Sequence, residues 1–294
     1  MQIKVLPDFW FPGRRSIRLV PDLGFPGRPP QATFPFLHQA RTRPVPVGVS
    51  IGAIDLGTAL ATTGSSGAFI IFADDLYCLS ANHVLSIDGL IPTNSPVAQP
   101  GFSDGASLAL DVFAHNTVFK PFNVLANEID VALAKVDVPT NAIIAILENG
   151  VPTGNVTQPI VGMTVLKSGR TTGLTMSTII AVNAEDDTPA IPGFLPAIHH
   201  VNQILVDNPA FAFADAGDSG SGIYDLQGNL VGIVSHFDPN RPDLVACSSA
   251  LAVKIWIDSV FPPKRQSNPE RQNNTVGGAL FIIDNQIPEE MECF

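Results

Sequence analysis

The five residues Gly217-Asp218-Ser219-Gly220-Ser221 constrain this chain more than any other stretch, because they demand a fold that brings distant residues to them. Upstream lie Ser80-Ala81-Asn82-His83-Val84 and Asp130-Val131-Ala132-Leu133. A serine hydroxyl is a poor nucleophile at neutral pH. It needs an imidazole to take its proton and a carboxylate to fix that imidazole's tautomer. His83, Asp130 and Ser219 supply one group each, in the chain order His, Asp, Ser.

That order excludes one fold. An α/β-hydrolase carries its serine in a G-x-S-x-G elbow and runs Ser, then Asp or Glu, then His. Here the position two after Ser219 is Ser221, not Gly. The only histidine downstream is His236, close in sequence and in a strand-like run.

The periodicity around these motifs is that of short strands. Val47–Gly52 and Gly67–Phe72 are apolar runs with β-branched residues, and Tyr77–Ser80 then leads into His83. Asn94 to Asp104 reads as loop, and Ser107–Phe119 and Val131–Val136 as further strands. Ala142–Glu148 is expected to be a brief helical connection. A second set begins after Gly162: Thr164–Lys167 and Thr175–Val182 flank a hairpin turn at Gly169-Arg170-Thr171-Thr172-Gly173. Glu185 to Pro196 reads as a Pro- and Asp-rich loop. His200–Val206, Gly222–Tyr224 and Leu230–Ser235 read as strands, and Ser249–Val260 as a closing helix. The fold class is therefore all-β: two antiparallel β-barrels with a C-terminal helix. The domain division is an N-terminal arm over 1–46, a double barrel over 47–262, and a tail over 263–294.

At these motifs the chain resembles the trypsin/chymotrypsin-like serine peptidases. Gly217–Ser221 is similar to that family's G-D-S-G-[GS] nucleophile loop, Ser80–Val84 to the segment carrying the base, and Asp130–Leu133 to the D-[IV]-A-[LM] segment carrying the acid. Gln99-Pro100-Gly101 with Asp104-Gly105, and Lys167-Ser168-Gly169-Arg170-Thr171-Thr172-Gly173, resemble bacterial members related to the plant Narrow Leaf proteins. The resemblance spans roughly Val47 to Phe261. It departs at Ser221, where Gly is commoner. It implies a chymotrypsin-like fold and a serine endopeptidase acting on protein or peptide substrates, without a cofactor. His83 is then the base, Asp130 the orienting acid and Ser219 the nucleophile. The backbone N–H groups of Gly217 and Ser219 are the expected oxyanion hole.

The same resemblance places the pocket floor at Phe213, where no acid stands to favour Lys or Arg, and Ser235 beside the triad on the strand that pairs with bound peptide. Many relatives pair the acid before the serine with an N-terminal amine freed by cleavage. No such N-terminus is evident before Val47, so Asp218 is expected to be satisfied by local hydrogen bonds. The competing reading is a catalytically silent peptide-binding pseudoprotease. A combined protease and chaperone is disfavoured, since no room for a PDZ domain follows Phe261.

Composition narrows the rest. The formal net charge is −11, yet residues 1–43 carry seven cations against Asp8 and Asp22, so the remainder holds −16. An acidic body argues against nucleic acid, which needs clustered Lys and Arg. No apolar run reaches the ~18 residues of a membrane span. The N-terminus lacks a signal core. Three cysteines, Cys78, Cys247 and Cys293, are too sparse for a secreted disulfide framework, so a cytoplasmic location is expected. Their spacing suits no zinc site, and none is expected. Cys78 reads as a core residue; His38, His115, His199 and His200 read as surface or turn residues. The frame P-D-x-x-F-P-G-R occurs at Pro7–Arg14 and again at Pro21–Arg28, which reads either as a docking or inhibitory arm or as a leader with no part in catalysis. Oligomeric state is not readable.

Overall fold

The computed structural model describes residues 18–19, 37–190, 193–237 and 243–261. The repeated frame and the tail, including the apolar patch at 279–283, lie outside the described residues.

The first half is a nine-stranded curled sheet. Its order is Arg18–Leu19, Leu60–Ala61, Ser50–Asp55, Pro96–Ala98, Val112–Phe119, Ala132–Val136, Asp75–Ser80, Ala68–Phe72, with Gly64–Ser65 paired beside Ser50–Asp55. Its pairings are antiparallel except the first, Arg18–Leu19 along Leu60–Ala61. The second half is a closed six-stranded barrel: Thr164–Gly169, Gly173–Thr188, Ile198–Asp207, Leu244–Ser249, Leu230–His236, Gly222–Asp225. The expected two-barrel architecture with a C-terminal helix is what the chain adopts.

Four local expectations need correction. Pro96–Ala98, inside the stretch read as loop, is a strand paired with Ser50–Asp55 and Val112–Phe119. Ala142–Ile146 is a strand, not a helix, and lies parallel to Val45–Val47. β-branched Ile143 and Ile144 favour that outcome once a partner edge is present. Glu185 to Thr188 is not loop. It is the end of a 16-residue strand whose hairpin partner is Ile198–Asp207. Glu185 and Asp187 are exposed and Asp186 and Thr188 buried, the alternation of a strand with one covered face. Finally, His38 and His200 are buried rather than superficial.

Residues 37–46, read as the end of the arm, pack on the body. Ser50 donates its N–H to the His38 carbonyl at 2.7 Å. The His38 ring meets the Gly48 carbonyl at 2.8 Å and the Glu148 carboxylate at 2.7 Å. Arg43 donates to the Gln99 side chain at 2.5 Å and to the Gln99 and Asp111 carbonyls, both at 3.0 Å.

The helix Ala250–Val260 buries Ala250, Val253 and Ile257, a spacing of three and four that lies on one helical face. At its end Phe261 stacks on Phe72 with ring centroids 4.8 Å apart and meets Tyr77 at 5.2 Å, both on the first barrel. Tyr224 of the second barrel donates its hydroxyl to the Gly67 carbonyl at 2.7 Å. Arg170 grips Asp104 through two parallel bonds of 2.6 and 2.8 Å. This last pair joins the two sequence stretches that carried the bacterial resemblance. Together these contacts hold the barrels in one relation, and the cleft between them holds the candidate site.

Candidate active site

His83 and Asp130 meet because of strand register. Asp75–Ser80 and Ala132–Val136 are antiparallel neighbours with Ser80 opposite Ala132. The end of one therefore lies beside the start of the other. His83 sits just past the first, in the short helix Asn82–Leu85, and Asp130 just before the second. Asn82 fixes the turn by donating to the Lys120 carbonyl at 2.9 Å and accepting from the Asp88 N–H at 3.1 Å.

His83 Nδ1 donates to Asp130 Oδ2 at 2.6 Å, and the His83 backbone N–H reaches Asp130 Oδ1 at 3.3 Å. The Asp130 N–H donates to Ser248 Oγ at 2.9 Å, so the second barrel braces the acid. Asp130 is fully buried. Burial opposes its ionisation, but the charge of His83 and the hydrogen bonds from its ring and backbone prevail and hold the carboxyl below its ordinary range. Such a carboxylate leaves Nε2 of His83 as the basic nitrogen, the tautomer a general base requires.

Ser219 lies in the turn before the strand Gly222–Asp225. The turn is closed by Asp218 N–H to Asp215 O at 2.9 Å, Ser221 N–H to Asp218 O at 3.0 Å and Gly220 N–H to Val234 O at 2.8 Å. Those bonds commit the amides of Asp218 and Gly220. Gly217 and Gly220 adopt φ of 96° and 86°, the left-handed region that favours glycine. At Gly220 a Cβ would also strike Ser80 Oγ and the Ser65 carbonyl. Ser65 carries the loop from the first barrel: its N–H reaches the Ser219 carbonyl and its hydroxyl the Gly217 carbonyl, both at 2.8 Å.

Ser235 connects the two halves of the site. Its carbonyl accepts from Ser219 Oγ at 3.4 Å, and its hydroxyl donates to Asp130 Oδ2 at 3.2 Å. His83, Asp130, Ser219 and Ser235 are thus gathered in one place. All four are buried, His83 retaining 6% of its surface.

Asp218 is satisfied locally, as expected, and by more than backbone. It accepts from Thr171 N–H at 2.8 Å, Thr172 Oγ1 at 2.7 Å and Asp215 N–H at 2.9 Å. The sequence reading missed its cation. Lys167 Nζ lies 3.5 Å from Asp218 Oδ2, with both side chains fully buried. Burial lowers the lysine's pKa, and Asp218 offsets that only in part. The ammonium also donates to Thr172 Oγ1 at 2.5 Å and to the Gly173 carbonyl at 3.1 Å. The signal was available: an isolated Lys beside Gly-Arg-Thr-Thr-Gly in an otherwise apolar strand.

Phe213 lies in the core of the second barrel, 1% exposed, with the Lys167 ammonium 5.8 Å from its ring centroid. Its carbonyl accepts from the Thr175 hydroxyl at 2.6 Å. Two histidines that the sequence reading left without chemistry lie beside the triad. The rings of His200 and His236 stack with centroids 4.1 Å apart. Nothing in the sequence marks His200, because its burial depends on the hairpin folding over the first barrel, where Asn127 bridges to it.

Among the described residues no cluster of three or more His, Cys, Asp or Glu is arranged to hold a metal, and no helix is long and apolar enough to cross a membrane. Cys78 and Cys247 are buried and unpaired. Burial pushes the Cys78 thiol up to about 12 and raises that of Cys247, so neither is a thiolate near neutral pH.

No family model matches the chain, and no curated protein matches it. Solved structures do match. A glutamic-acid-specific serine protease, described as using a histidine triad in substrate binding, aligns at 18% identity and TM-score 0.50, covering 72% of this chain and 96% of that one. An alpha-lytic protease homolog, N4, aligns at 13% identity and TM-score 0.50, covering 72% and 96%. Protease A of Thermobifida fusca aligns at 14% identity and TM-score 0.48, covering 72% and 95%. These neighbours are bacterial trypsin/chymotrypsin-like serine proteases, and the likeness to the two at TM-score 0.50 establishes a shared fold.

Proposed function

We propose that this protein is a serine endopeptidase that cleaves peptide bonds through an acyl-enzyme. The observation that carries the reading is the His83–Asp130 bond of 2.6 Å, with Ser235 linking Asp130 to Ser219. Ser219 attacks the carbonyl carbon. His83 takes its proton and returns it to the leaving amine. Asp130 holds the tautomer and stabilises the imidazolium. The N–H groups of Gly217 and Ser219 receive the oxyanion, a contribution typically worth about 100-fold or more in rate per donor. Water then releases the acyl group by the same steps.

Substrates are proteins or peptides. Phe213 is the pocket floor and Ser235 lies on the peptide-pairing strand; with no acid at that floor, a preference for Lys or Arg is unsupported unless Asp215 turns inward. The Asp218–Lys167 pair supports activity without N-terminal processing, because the cation comes from within the chain. The link to bacterial relatives of Narrow Leaf proteins rests on two motifs that meet in the Asp104–Arg170 pair. A reducing, cytoplasmic setting is consistent with the unpaired Cys78 and Cys247.

A fluorophosphonate probe with mass mapping tests the reading. Labelling at Ser219, lost in Ser219→Ala and His83→Ala, is the expected result. With contaminants excluded, Ser219→Ala, His83→Ala and Asp130→Asn should each lower peptide turnover by about 10⁴-fold without additivity. An unlabelled, folded parent would make the chain a pseudoprotease.

A further inference from the structure

The hydroxyl of Ser235 has one hydrogen and two neighbours that compete to decide where it points. Asp130 Oδ2 is 3.2 Å away and His236 Nδ1 is 3.0 Å away. Asp130 is held ionised, so it only accepts. The hydrogen of Ser235 therefore goes to Asp130, and Ser235 Oγ must accept from His236. That requires the Nδ1–H tautomer of His236.

The far side of the ring agrees. With Nδ1 protonated, a neutral His236 carries a bare Nε2. That nitrogen is buried and has no hydrogen-bond partner. It faces Asp186 Oδ2 at 3.8 Å, too far for a hydrogen bond. An acceptor beside an acceptor makes no bond, and none is made. The ring itself is fully buried and stacked on His200. Burial, with His200 and His83 nearby, disfavours a second proton. His200 in turn rests against Phe122, 6.2 Å between centroids, and its Nε2 meets Thr188 Oγ1 at 3.2 Å. The groups facing this network are thus His83, Asp130, Ser235, Ser248, Asp186, Thr188 and His200.

We propose that His236 is a positioning residue for the reaction: its Nδ1–H fixes the Ser235 hydroxyl on Asp130 and so sets how strongly Asp130 holds the protonated His83. The chain of donors runs His236 Nδ1–H to Ser235 Oγ–H to Asp130 Oδ2, which also receives His83 Nδ1–H. The Ser235 hydrogen draws charge from Oδ2. If His236 took the other tautomer, its Nδ1 would become an acceptor and compete for that hydrogen. Asp130 would then carry more charge toward His83, and His83 would hold its proton to higher pH. The inference rests on the peptidase reading for its consequence in catalysis, but the network can be measured without turnover.

The test is proton NMR of the low-field His83 Nδ1–H resonance, titrated with pH, in four folded proteins. The parent sets the midpoint. His236→Asn keeps a donor near the Nδ1 position. His236→Phe keeps a ring on His200 but has no donor, and His236→Gln carries its amide toward the Nε2 position instead. Asn should retain the parent midpoint. Phe and Gln should both raise it by half a pH unit or more, and Ser235→Ala, which removes the hydroxyl itself, should do the same. If Phe fails to fold, the Asn and Gln pair decides the question. A parent-like midpoint in folded Phe or Gln variants, or Asn shifting with Gln, overturns the proposal. In an active parent, the acid limb of kcat/KM should move with the NMR midpoint, and kcat/KM at a pH near that midpoint should fall about two- to threefold in the Phe variant. Failure of the peptidase reading shows separately, as an unlabelled parent in which the NMR pattern still holds or fails.

Discussion

Lys167 and Ser221 are two buried polar residues of opposite consequence. The Lys167 ammonium is the cation facing Asp218, and removing it leaves a carboxylate at zero exposure without its counter-charge. Breaking one partner of a buried pair costs roughly 3 to 5 kcal/mol. Lys167→Met is expected near the lower end, about 3 kcal/mol, because Asp218 keeps its bonds from Thr171, Thr172 and Asp215. Denaturant unfolding measures it, and fluorophosphonate labelling should fall with it as the Ser219 turn loosens. A Met variant as stable as the parent would contradict this. Ser221 is different: its hydroxyl is buried and has no partner. An unmade hydrogen bond already carries its desolvation cost of about 1 to 3 kcal/mol. Ser221→Ala should therefore leave stability unchanged or raise it by about 1 kcal/mol, read as an equal or higher Tm. A loss of more than about 1 kcal/mol would show that the hydroxyl is satisfied after all.

At the scale of elements, the closing helix Ala250–Val260 is one of the pieces that fasten the second barrel to the first. Ile257 is fully buried on its inner face, and Phe261 beyond it stacks on Phe72. Truncating a buried isoleucine typically costs about 2 to 5 kcal/mol through lost burial and the cavity left behind. Ile257→Ala is expected to cost about 3 kcal/mol in chemical denaturation. Ile255 is 72% exposed on the same helix, and Ile255→Ala should stay within about 0.5 kcal/mol. Equal costs at the two positions would mean the helix does not dock as described.

For the whole molecule, the buried histidines tie stability to pH. Burial lowers the His200 pKa to about 4, and the same cause lowers that of His236 well below its ordinary value. In the unfolded chain both titrate near about 6.5. Above that pH neither state is protonated, and the full stability is present. As pH falls below it, the unfolded chain binds protons that the folded one refuses, so stability declines until the folded pKa is passed. The slope approaches about 1.4 kcal/mol per pH unit for each group. Between pH 7.5 and 5 the protein should lose about 2 kcal/mol per buried imidazole, seen as a lower urea midpoint. An unchanged midpoint across that range would argue that these rings are solvated.

Much of this molecule was legible in one dimension. The nucleophile loop, the histidine and acid segments, the hairpin at Gly169–Gly173 and the closing helix follow from local chemistry: glycine where φ is positive, β-branched runs between turns, and apolar spacing of three and four. The two-barrel class followed from the same punctuation. What only the tertiary structure decided concerns partners far apart in sequence. Ala142–Ile146 became a strand because Val45–Val47 offered an edge. Glu185–Thr188 became a strand because its hairpin partner continued. His200, a polar residue at a strand's polar end, is buried because that hairpin folds over the first barrel and places its ring on His236. Lys167 found Asp218, and Ser235 found Asp130. A sequence states which groups can donate, accept or pack. Which of them meet depends on strand register and barrel closure, where many weak contacts act together.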